Sequence, residues 1–172
     1  MTLHRSQFPD AFRFGTATAA FQVEGGVTEG GRTPSIWDTF SALPGTIANG
    51  DTAEVACDHY HRLDEDLELL GALGGETYRF SFSWTRILSG SDLTVNRAGI
   101  DFYRRLIDGL RDRGIAPMAT LYHWDLPQTI QDLGGWTNRD PANRPAELAS
   151  LVARELGDGI DTWSTTNQPH NH

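Results

Sequence analysis

The feature that most constrains this chain is an alternation. Three segments with a helical period are interleaved with four short strand-like runs, and the connections are long on one side and short on the other. The first helical segment runs from about Cys57 to Leu73. It carries Tyr60, Leu63, Leu67, Leu70 and Leu73 on one stripe and Asp64, Glu65, Asp66 and Glu68 largely off it. The second runs from about Arg97 to Arg113, with Ile100, Tyr103, Leu106, Ile107 and Leu110 on one face. Asn96 is placed to cap its start and Gly114 to end it. The third runs from about Arg144 to Leu156, with Leu148, Leu151, Val152 and Leu156 inward. Pro145 fits only near its first turn, with Asn143 as cap.

The strand-like runs are Phe12–Phe21, Thr77–Trp84, Ala116–Tyr122 and Asp161–Thr166. Strands alternating with helices of this length predict βαβ units and a parallel sheet in the order 1-2-3-4, with the helices on one side of it. Connections after helices take two to four residues, whereas those after strands are long: Gln22 to Ala56, Thr85 to Val95 and His123 to Ala142. In such folds the long loops after strands form the functional face. No repeat, low-complexity stretch or linker divides the chain, so residues 1–172 read as a single domain.

Composition removes several function classes. The net charge of −9 argues against nucleic-acid and anionic-membrane surfaces, which need a basic face. The single cysteine, Cys57, excludes an intrachain disulfide and a thiolate zinc cluster, and is expected to pack inertly at a helix start. No apolar run is long enough to span a bilayer and no leader pattern opens the chain, so a cytoplasmic location is expected. No phosphate loop or dinucleotide motif occurs, and no cofactor is expected. The run Asp58-His59-Tyr60-His61 looks metal-like, but residues two apart on a helix do not share a face, so no metal is expected.

Polar residues gather where the strands end. Gln22 and Glu24 follow the first run, Arg79, Ser81 and Ser83 interrupt the second, His123, Trp124 and Asp125 end the third, and Asn167 and Gln168 end the fourth. Amides and an imidazole can bond adjacent hydroxyls, and an indole can stack on the C–H face of a ring, so the set suits a sugar. Taken singly, Arg79 also fits a structural ion pair and His123 a hydrogen-bonded structural histidine. Their convergence at one mouth favours the functional reading.

At this point the residues match something specific. The runs FGTATAAFQVEGG (14–26), GRTPSIWDTF (31–40), GDTAEVACDHYHR (50–62), YRFSFSWTRIL (78–88), LYHWDLPQTIQDLGGW (121–136) and TNQP (166–169) resemble glycoside hydrolase family 1, the β-glucosidase family. The resemblance implies a (β/α)8 barrel of the TIM type, present here as about strands 1–4 with three helices. It also implies hydrolysis of β-linked glucosides or related oligosaccharides with retention. By the same resemblance Gln22, His123 and Trp124 would bind the sugar and Asn167 its 2-hydroxyl. Arg79 would orient the catalytic nucleophile.

Two departures follow from that resemblance. The family carries an acid/base Glu in an Asn-Glu-Pro triplet, and this chain has Asn167-Gln168-Pro169. A full barrel takes about 250 residues, and the family's nucleophilic Glu belongs to the other half. A fragment cut after strand four would leave two open sheet edges. Phe12, Phe14, Phe80, Phe82, Met118 and Leu121 would then form an apolar patch on its inner face. The expectation is a β-glucosidase-like chain inactive alone, which self-associates or pairs with a complementary half. The alternatives are a non-catalytic sugar-binding half-barrel, or part of a thioglucosidase-like enzyme, whose family members also carry Gln at the acid/base position.

Overall fold

A computed structural model describes residues 4–139 and 144–169 of the chain. In order, its elements are β1 (Gly15–Ala17), α1 (Ala20–Val23), α2 (Ile36–Ser41), α3 (Leu63–Leu73), β2 (Thr77–Ser81), α4 (Trp84–Ile87), β3 (Leu88–Ser89), β4 (Thr94–Val95), α5 (Arg97–Asp112), β5 (Ala116–Tyr122), α6 (Gln128–Asp132), α7 (Arg144–Leu156) and β6 (Thr162–Thr166). Four strands form one parallel sheet in the order β1-β2-β5-β6, the predicted order, while β3 and β4 make a small antiparallel pair. Among the described residues no helix is long and apolar enough to cross a membrane.

The predicted helices form with changes at their ends. α5 buries Ile100, Tyr103, Leu106, Ile107 and Leu110, and Gly114 takes the left-handed conformation (φ 70°) that lets the chain turn into β5. Asn96 occupies the cap position of α5 but does not cap it. Its amide instead donates to the carbonyls of Gly30 and Arg86, at 2.6 and 2.9 Å. The first helix begins at Leu63 rather than Cys57, because Ala56 and Asp58 have φ of 50° and 58°, which no right-handed helix accommodates. Cys57 is consequently exposed in a turn rather than packed at a helix start. Asn143 lies outside the described residues.

The first strand is also shorter than its apolar run. Only Gly15–Ala17 pair with β2, and Phe8, Phe12 and Phe14 instead pack on one another, with centroids 4.9–5.0 Å apart. The expected inner apolar patch does not form. Strand alternation sends Arg79 to the inner face and therefore sends Tyr78, Phe80 and Phe82 to the helix side. There Phe80 and Phe82 are buried against Tyr103. Leu121 likewise packs on the outer core, which leaves Met118 as the member of that set aligned with Arg79.

A buried ion pair ties the long loop after β1 to this core. Arg86 of α4 donates through Nε to Glu24 at 2.9 Å and through Nη2 to the carbonyl of Gly25 at 2.9 Å. Tyr103 of α5 donates to the other carboxylate oxygen of Glu24. The Arg86 guanidinium lies 4.0 Å from the centroid of the Tyr60 ring. Gly99 is required here: a Cβ on it would fall 2.0 Å from the Arg86 carbonyl oxygen. Removing one partner of a buried pair strands the other charge and costs about 3–5 kcal/mol. Glu24→Gln and Arg86→Met should each lower the urea midpoint strongly. The double variant Glu24→Gln/Arg86→Met should lose less than the two singles summed, and strict additivity would mean the two groups act separately.

Candidate active site

Register builds the site before any side chain is considered. Arg79 on β2 aligns with Met118 on β5, which aligns with Thr162 on β6, so residues from three strands share the inner face. The Arg79 guanidinium donates to Thr120 Oγ1 at 3.0 Å and to Asn167 Oδ1 at 3.0 Å. The second bond reaches from β2 past β5 to the end of β6. No carboxylate pairs with Arg79 among the described residues, so the structural ion pair belongs to Arg86 instead. Arg79 therefore presents a half-buried positive charge at the mouth of the sheet, held by two neutral acceptors.

The end of β5 supplies the next wall. Trp124 has φ 76°, and its indole donates to the Asn167 carbonyl at 2.9 Å. The Asn167 backbone N–H donates in turn to the Tyr122 carbonyl at 3.1 Å. His123 packs edge-on to Trp124 with centroids 5.5 Å apart. Burial, with the charge of Arg79 adding to it, holds His123 below the ordinary histidine range. It is thus a neutral imidazole near pH 7, and its Nδ1 is buried with no hydrogen-bond partner among the described residues. A neutral ring carries one donor and one acceptor nitrogen, a pair that suits a hydroxyl group.

Gln168 follows Asn167 in a left-handed conformation (φ 46°) and is exposed. Gln22 is exposed on α1, which is tied to the end of β2 by the bond from Ala20 N–H to Ser81 Oγ at 2.8 Å. The structure thus bonds Arg79, Trp124 and Asn167 into one cluster with His123 against it and Gln168 next in the chain, whereas among the described residues no hydrogen bond joins the Gln22 side chain to that cluster. Glu24, read from sequence as a mouth residue, is consumed by Arg86. Thr120 is a site residue the sequence reading missed. Its signal was the same alternation that turns Arg79 inward. The metal-like run is also explained, although not as a helix. His59 bonds Asp66 at 2.6 Å, and His61 bonds Glu29 at 2.9 Å.

The chain as a whole is similar to known proteins. The model of glycosyl hydrolase family 1 matches residues 4–172. The chain belongs to glycosyl hydrolase family 1. It is 53% identical over 162 residues to thermostable β-glucosidase B of Thermobispora bispora, covering 94% of this chain and 34% of that protein. A structure of Thermotoga maritima β-glucosidase in complex with castanospermine superposes with a TM-score of 0.91 at 49% identity, covering 94% of this chain and 37% of that one. A Glu-to-Gln variant of a rice β-glucosidase, in a covalent complex with Glc, superposes with a TM-score of 0.95 at 48% identity, over 99% of this chain and 36% of that one. The chain thus spans about a third of the length of the relatives it matches, and its sheet is a truncated part of the family 1 barrel.

Asp125, next to Trp124, yields a test of the site's electrostatics. Its Oδ2 accepts from Trp84 N–H at 3.2 Å, and its Oδ1 has no partner among the described residues. Burial pushes its carboxyl from 3.8 up to about 7, against the pull of Arg32. The raised value fixes the sign. The contribution is whole below about pH 4, where both folded and unfolded chains hold the proton, and it is lost as pH rises through 7. The loss is of order 4 kcal/mol. Asp125→Asn should flatten the fall in urea midpoint between pH 4 and 8, and an unchanged slope would show that Asp125 is ionised in the fold.

Proposed function

We propose that this chain carries the sugar-binding corner of a β-glucosidase-like retaining glycoside hydrolase acting on β-linked glucosides. The observation that carries the reading is the hydrogen bond from Arg79 to Asn167. It fixes an amide on one sugar hydroxyl and leaves a cation without a carboxylate partner beside it. A cation in that position can orient an anionic nucleophile, and Asn167, through its remaining N–H donors, can hold the 2-hydroxyl. His123 and Gln22 would bond the hydroxyls further round the ring, with Trp124 as the wall.

Retaining hydrolysis takes two carboxylates about 5–5.5 Å apart, one attacking the anomeric carbon and one protonating the departing oxygen. Gln168 would stand at the second position, and an amide has no acidic proton to give. The chain would therefore need two things it does not carry: a nucleophile from a complementary segment, and a leaving group that departs unprotonated. A groove of about 260 Å³ beside β1, lined by Thr16, Leu69, Leu70, Leu73 and Tyr78, supports such a partner or a second copy. Leu69 and Leu73 are exposed there, and β1 and β6 are open edges. The thioglucosidase-like alternative shares the same site and differs only in the leaving group.

The test mixes the chain with a segment of the Thermotoga maritima relative that supplies the missing strands. The chain alone should not turn over cellobiose. In the mixture, Gln168→Glu should raise cellobiose hydrolysis about 10²–10⁴-fold. The first step with 2,4-dinitrophenyl β-glucoside, whose leaving group needs no proton, should change little. Cellobiose turnover by rigorously purified chain alone would overturn the reading.

A further inference from the structure

Arg79 makes its two hydrogen bonds through neighbouring N–H groups. Nε donates to Thr120 Oγ1 and Nη2 to Asn167 Oδ1, both at 3.0 Å. These groups lie along one lateral edge of the planar guanidinium. The terminal edge, made of Nη1 and the second N–H of Nη2, carries no hydrogen bond among the described residues. A single bond leaves a long side chain free to turn about it, whereas two bonds along one edge fix the plane.

Thr120 is the stiffer of the two anchors. It sits within β5, aligned with Ser81 on β2 and Ser164 on β6, and its carbonyl accepts from Phe82 N–H at 3.1 Å. Its side chain is β-branched, which restricts χ1, and the residue is 0% exposed. Water therefore cannot take the place of its oxygen, and a donor left without an acceptor in such a place is costly. Asn167, by contrast, is half-buried just past the end of β6. Arginine has donors only, so Asn167 turns its carbonyl oxygen to Arg79 and its NH2 away. The placement of Arg79 thus decides which way the Asn167 amide faces.

We propose that Thr120 is a positioning residue of the sugar corner: its hydroxyl holds the Arg79 guanidinium by the lateral edge, which leaves the terminal edge for a carboxylate and the Asn167 NH2 for a sugar hydroxyl. Thr120 acts through Arg79 and contacts neither ligand group. This deepens the reading above and rests on it for the sugar, whereas the chain of contacts from Thr120 through Arg79 to Asn167 belongs to the protein alone. Two parallel N–H groups match a carboxylate bidentately. Anchoring the lateral edge on neutral oxygens keeps that fork available without cancelling its charge.

NMR of the arginine Nε–H and asparagine NH2 groups in the isotopically labelled full chain tests it. In the unaltered chain the Arg79 Nε–H should exchange with water at least about tenfold more slowly than that of Arg105, which is exposed and bonds through Nη2 rather than Nε. Thr120→Val keeps the shape and removes the acceptor. It should raise the Arg79 exchange rate about tenfold, move the Asn167 NH2 resonances and weaken glucose binding about tenfold. Thr120→Ser, which keeps the hydroxyl, should restore all three. Equal exchange of Arg79 and Arg105 in the unaltered chain overturns the proposal, whether or not the valine variant folds. So does a Thr120→Val chain that keeps its Arg79 exchange and Asn167 resonances, or a change in it that Thr120→Ser does not reverse. If the unaltered chain fails to bind glucose while both NMR signatures respond as expected, the sugar-site reading falls and the positioning of Arg79 by Thr120 stands.

Discussion

Arg86 carries its charge to the bottom of the loop after β1, with its side chain wholly shielded from solvent, and Glu24 and Tyr103 meet it there. That contact joins three parts of the chain far apart in sequence: the turn after α1, the short helix after β2, and the long helix α5. Because a buried charge is tolerable only when paired, the arrangement is nearly all-or-none. Once made, it fixes where Gln22 can sit, how closely α5 approaches through Gly99, and where the loop bearing Trp37 departs. The polar mouth is thus held in place by a polar network beneath it.

Arg79 lies seven positions before Arg86 and does a different task. Its neighbours are a hydroxyl and an amide oxygen, so its charge is oriented without being neutralised. This is the physical difference between the two arginines of one strand-to-helix unit: Arg86 is neutralised by Glu24 and Arg79 is not. The chain belongs to glycosyl hydrolase family 1 and spans about a third of the length of the relatives it matches.

Much of the architecture was legible. The periods of 3.6 and 2, with glycines between them, gave three helices and the strand order, because each element buries one face. What was not legible came from single backbone angles and from partner choice. Nothing in the stripe from Tyr60 to Leu73 reveals that Ala56 and Asp58 take positive φ and stop the helix at Leu63. The aromatic run from Phe12 looks like strand, yet its rings satisfy one another locally. Phe80 and Phe82 could have been placed correctly, since an inward Arg79 forces its neighbours outward. For the site, residue types at strand ends pointed to the cluster, but pairing could not be read. Glu24 and Arg79 looked equally available, and only the structure shows that Arg86 takes one and leaves the other.

A sugar-hydroxyl site assembled within these residues would bind glucose without any further segment. Amide and indole resonances of isotopically labelled chain, followed during titration with glucose, test it most directly. The predicted result is saturable shifts confined to Gln22, His123, Asn167 and the Trp124 indole N–H, which donates to Asn167, and lost in Arg79→Ala. Shifts scattered elsewhere, or an unchanged Trp124 indole signal at saturation, would contradict it.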